Sequence, residues 1–181
     1  MSDEVRMTTT VHIERSLFGL TAEGSPVVWT DLPMGPAGAV HVADGTALFI
    51  SNAQEHDATL TLQISDRTSE RVGEGFVLVG SWPFNSHLGK MVLDTPNAGG
   101  SIGFRLKPNT TYTMHVWCKG GESAQERFYG ELRGVTPKTG LEDYLVEFVP
   151  TGSRHAVTSH TQSRSQPPVD ESGQRPANWV G

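Results

Sequence analysis

The chain has 181 residues with a 36% hydrophobic and 19% charged share, enough for one domain with a sizeable core and unlike either a membrane protein or a wholly disordered one. Its net charge is −6; residues 151–181 carry Arg154, Arg164 and Arg175 against Asp170 and Glu171, leaving −7 on residues 1–150. An acidic domain repels phosphate backbones, which argues against direct nucleic-acid binding and leaves two readings, attraction to a basic protein or simple solubility. With one cysteine there is no intrachain disulfide, and no apolar leader or roughly 20-residue apolar span is visible, so a cytosolic protein off the membrane is expected.

Taken in order, residues 1–8 read as a flexible N-terminus. Period-two alternation, the mark of half-buried strands, begins with "TTVHIERSLFGL" (9–20), where Val11, Ile13 and Leu17 share a parity. "TALFIS" (46–51) and "ATLTLQIS" (58–65) follow, the second with Leu60, Leu62 and Ile64 together. "GFVLVGSW" (75–82) is apolar on both parities, which suggests a sheet centre. "SIGFRL" (101–106), "TYTMHVWC" (111–118), "ERFYGELRGV" (126–135) and "DYLVEFVP" (143–150) complete the series, with a short helical turn around Ser86–Met91. Turn-rich segments separate them and no window of about 12 residues has helical periodicity. About eight such strands predict an all-β fold, an antiparallel β-sandwich over residues 9–150, with a flattened barrel as the alternative. Residues 151–181 are rich in Ser, Thr, Gln, Pro and Arg and read as a polar, disordered tail.

Cys118 and His115 invite a nucleophile-and-base reading. Residues three apart in a strand point to opposite faces, however, so the thiol belongs with Tyr112, Met114 and Val116 in the core and the imidazole faces away. The seven histidines lack the HxH, HxxxH or HExxH spacing that announces zinc, so no metal or cofactor is expected, and no catalytic residue is assigned. Candidate binding residues are Trp29, Trp82 and Trp117, each beside a turn, with the loop acids Asp31 and Asp44. Exposed tryptophans would anchor a protein or stack a sugar; buried ones would cap the core.

"VVWTD" (27–31), "VADGTALF" (42–49), "WPF" (82–84) and "FRLKPNTTYTMHVWC" (104–118) occur in an order that resembles the competence-protein-J family, small bacterial proteins some of which inhibit a DNA-entry nuclease. Leu106, Tyr112 and Trp117 occupy the pattern's last element, with Asn109 where a turn glycine belongs. The resemblance implies a non-enzymatic protein binder whose target is a nuclease or a similar toxin-like enzyme, and the acidic charge favours a basic one. Loop carboxylates Asp31, Asp44, Glu55, Asp57, Asp66 and Glu70 would supply the attracting field. A carbohydrate- or small-ligand-binding sandwich is the alternative. An enzyme whose residues converge only in space is the third reading, and an open sheet edge would allow a homodimer.

Overall fold

The computed structural model describes residues 5–70 and 72–153; the expected tail from 154 onward lies outside them. Ten strands form two five-stranded sheets packed face to face, an all-β sandwich rather than a closed barrel. The strands are β1 (Val5–Ile13), β2 (Leu17–Ala22), β3 (Val40–Ala43), β4 (Thr46–Ile50) and β5 (His56–Ile64). They continue as β6 (Phe76–Ser86), β7 (Lys90–Asp94), β8 (Gly99–Arg105), β9 (Thr110–Lys119) and β10 (Thr139–Ser153). The front sheet has the order β1-β5-β10-β9-β6 and the back sheet β3-β4-β2-β7-β8.

Alternation places Leu60 and Leu62 of β5, Tyr112, Met114 and Val116 of β9, and Tyr144, Val146 and Phe148 of β10 on one inner face. Phe18 and Leu20 of β2 and Phe49 of β4 face them from the back sheet. Phe148 is edge-on to Phe84 at 5.2 Å and to Tyr112 at 6.0 Å between ring centroids; Phe18 stacks on Phe49 at 4.4 Å. These geometries suit ring quadrupoles better than a random fill would.

Several elements depart from the sequence reading. Residues 9–20 form two strands, because Arg15 and Ser16 take left-handed φ angles of 53° and 64° and turn the chain. Strand β1 starts at Val5, four residues before the expected domain, and β10 runs three past residue 150. Residues 87–89 bend between strands rather than forming a helical turn. The expected strand over 126–135 is instead α1 (Gly121–Tyr129) and a run of turns. Gly120, at φ 86°, enters the helix, and Ala124 and Phe128, one turn apart, pack with Ala53, Leu132 and Leu141. The expected central strand over 75–82 is β6, at the edge of the front sheet; β10 holds the centre by pairing parallel to β5 and antiparallel to β9. Among the described residues no helix is long and apolar enough to cross a membrane.

Candidate functional site

The binding residues suggested by sequence do not meet on one surface. Trp29 and Asp31 lie in a 3-10 turn (Trp29–Asp31) against the outer face of the back sheet, where Trp29 packs with Leu32, Leu48 and Ile50. Its ring lies so close over Gly19 that a Cβ there would collide with it, while Asp31 is exposed. Trp82 is half-buried on the inner face of β6, packed against the core, and folds over Gly80, where a Cβ would stand 2.6 Å from the ring. Trp117 sits on the outer face of the front sheet and is only 7% exposed, so it has little surface to offer a partner. Asp44 turns the β3–β4 hairpin. Its carboxylate accepts from Asn85 Nδ2 at 2.7 Å and lies 3.2 Å from His87 Nε2. That hairpin rests on the C-terminal end of β6.

The Cys118 and His115 side chains occupy opposite faces of β9, as the parity argument requires. His115 is 9% exposed, with Nε2 at 2.9 Å from Thr68 Oγ1 and Nδ1 at 2.6 Å from Ser81 Oγ. Burial lowers its pKa against the opposing charge of Glu147, so the ring is neutral at pH 7, one nitrogen donating and the other accepting. Cys118 packs against the core, and burial together with the Glu142 charge pushes its thiol up to about 12. A thiol held there is protonated at neutral pH and a poor nucleophile.

Two buried carboxylates, neither singled out by the sequence reading, organise the polar interior. Glu142 receives hydrogen bonds from Ser51 Oγ, from Asn52 Nδ2 at 2.8 Å and from Tyr144 OH at 3.1 Å; His56 Nε2 stands 3.3 Å away, within ion-pairing reach. Burial opposes its ionisation, but the donors from His56, Ser51 and Asn52 outweigh it and hold the carboxyl below its ordinary range. Glu147, on the outer face of β10, accepts from Gln63 Nε2 at 2.9 Å, Ser65 Oγ at 2.7 Å and the Ser69 amide at 3.0 Å. Burial again opposes and donors from Ser69, Ser65 and Gln63 prevail, lowering this pKa as well. Glu147 thereby ties the 65–70 loop across the outer face. An acid inside "DYLVEFVP", on the parity opposite Tyr144, Val146 and Phe148, was the signal for it.

One open feature is a cleft of about 470 Å³ between the first half of β6 and the start of α1. Val77, Leu78, Val79, Cys118 and Tyr144 provide its apolar lining, and Asn52, Glu122, Ser123 and several glycines its polar and open parts. Val77 is 62% and Leu78 50% exposed, an unusual state for neighbouring aliphatic residues of one strand. Among the described residues no tryptophan lines this cleft. Among the described residues no group of three or more His, Cys, Asp or Glu side chains is placed to hold a metal ion.

No family model matches the sequence, and no curated relative does. The fold does match solved structures. One is ComJ from Bacillus subtilis, described as an inhibitor of the DNA-degrading activity of NucA, at 14% identity and a TM-score of 0.51 over 80% of this chain and 96% of that one. Another is the crocagin biosynthetic gene J product, at 7% identity and a TM-score of 0.52 over 82% and 99%. At such identities the likeness is one of fold, and it bears out the resemblance drawn from the ordered sequence motifs.

Proposed function

We propose that this chain is a cytosolic protein-binding β-sandwich that inhibits a basic, nucleic-acid-degrading enzyme by occluding its substrate face. The observation that carries the reading is the fold likeness to ComJ, a nuclease inhibitor, whose alignment spans 96% of that protein. The net charge of −6 supports it, since an acidic inhibitor is drawn to the basic face with which a nuclease holds phosphates. The exposed acids Asp31, Glu55, Asp66 and Glu70 supply the field, and Trp29 beside Asp31 is an anchor with part of its ring in solvent.

The test is inhibition of a purified basic nuclease from the same host, measured on double-stranded DNA at rising salt. Between about 0.01 M and about 1 M the Debye length contracts from about 30 Å to about 3 Å, so the association rate should fall steeply. An association rate indifferent to salt rejects steering; absence of inhibition by the full chain rejects the reading itself.

The cleft beside Tyr144 favours a second reading, a small-ligand-binding sandwich. A titration against glycans or small aromatics separates the two, because a cleft ligand would shift the amide resonances of the cleft-lining residues whereas a nuclease inhibitor needs no small molecule to act.

A further inference from the structure

Edge strands of soluble sandwiches are normally blunted, because an open row of N–H and C=O groups invites another strand. Strand β6 is blunted along only part of its length. Its register slips between Leu78 and Gly80, Pro83 removes a donor, and Asn85 is covered by the Asp44 hairpin. Phe76–Leu78, ahead of that slip, carries neither a proline nor a covering hairpin. There Val77 and Leu78 project into solvent beside the cleft, whose far wall is formed by Gly120, Gly121 and Glu122. Glycine walls let a second backbone approach closely, which a wall of side chains would prevent.

We infer that Phe76–Leu78 is a strand-addition site that receives an extended segment of a partner protein bearing alternating apolar and basic residues. The inference rests on the protein-binding reading and names where the partner docks. An extended segment fits because main-chain ladder bonds supply affinity while alternate side chains enter pockets, and the cleft lies where one set of those side chains would point. Basic character follows from charge: Glu122 lines the cleft and Glu74 precedes the strand, together outnumbering Lys119, whose side chain lies against Gly75, and the chain carries −6. A second copy, with the same acidic rim and the same net charge, is the less complementary occupant.

The experiment uses the full-length 15N-labelled protein and synthetic peptides of about ten residues, the length of an ordinary strand. One peptide alternates Val with Lys, one Val with Glu, and one carries Pro at alternate positions. The Val/Lys peptide is expected to shift amides of residues 75–79 and 120–122, bind at least about tenfold more tightly than the Val/Glu peptide, and lose binding when Pro removes its donors. The Val77→Lys/Leu78→Lys double variant, altered only at exposed positions, should lose at least about tenfold in peptide affinity and in nuclease inhibition while keeping its circular dichroism. Shifts elsewhere, no shifts, or a wild-type dimer that this variant converts to monomer overturns the proposal. Inhibition undiminished in the variant overturns the docking site but leaves the inhibitor reading intact. Peptide binding at these amides without any nuclease inhibition supports the site and sinks that reading.

Discussion

Glu142 and Glu147 are ionised inside a β-sandwich because several donors converge on each, and the two sites differ in what that ionisation holds together. Glu142 joins the β4–β5 turn, through Ser51 and Asn52, to the start of β10. Truncation by Glu142→Ala would strand buried hydroxyl, amide and imidazole groups and should cost about 3 kcal/mol, read from the urea-unfolding midpoint. Both carboxyls have folded values below their unfolded ones. Their stabilisation is therefore complete above the unfolded carboxylate range and is lost as pH falls through the lowered folded values. Glu147→Gln should accordingly lose less stability than wild type between about pH 7 and about pH 3, as chemical denaturation at each pH will show. His12 behaves oppositely. Its Nδ1 lies 2.6 Å from Asp57 Oδ1, and that hydrogen bond raises the imidazole pKa against a small opposing cost of burial. The charged pair contributes at low pH and fades as pH rises through the raised value, so Asp57→Asn should move the His12 titration seen by NMR downward. With its thiol near 12, Cys118 should react with iodoacetamide about a thousandfold more slowly than an unperturbed cysteine at neutral pH, a rate that mass spectrometry can follow.

Turn chemistry decides where the elements begin and end. Asp44 and Gly45 both have positive φ, 39° and 84°, the pairing a two-residue hairpin demands, and the Asn85 carbonyl packs where a Gly45 Cβ would stand. Gly45→Ala is therefore expected to destabilise by about 2 kcal/mol, part strain and part displacement of β6, measured by thermal unfolding. Asn109 takes φ 50° between β8 and β9, which explains how it stands where the resembled pattern has glycine: asparagine tolerates the left-handed region. The helix α1 escaped the sequence reading because nine residues barely exceed two turns and its buried contribution reduces to Ala124 with Phe128 beside it. Short, weakly apolar helices gain their stability from the surface they cover, a quantity absent from local periodicity.

At the scale of the whole molecule, alternation in β5, β9 and β10 was enough to predict two buried sheet faces, since period two fixes which side chains can share a face. Composition and spacing likewise separated Cys118 from His115, because strand parity is a local property. What only the tertiary structure decided is adjacency. The parallel pairing of β10 with β5 joins strands about 80 residues apart, and it moves β10 to the centre while consigning β6 to the edge. An apolar strand such as "GFVLVGSW" reads the same from either place; its neighbours determine whether Val77 and Leu78 become core or exposed surface. The buried acids follow the same logic. A glutamate in a chain of letters is a charge to be solvated, and it becomes an interior anchor only when Ser51, Asn52, Gln63 and Ser69, distant in sequence, bring their donors to it.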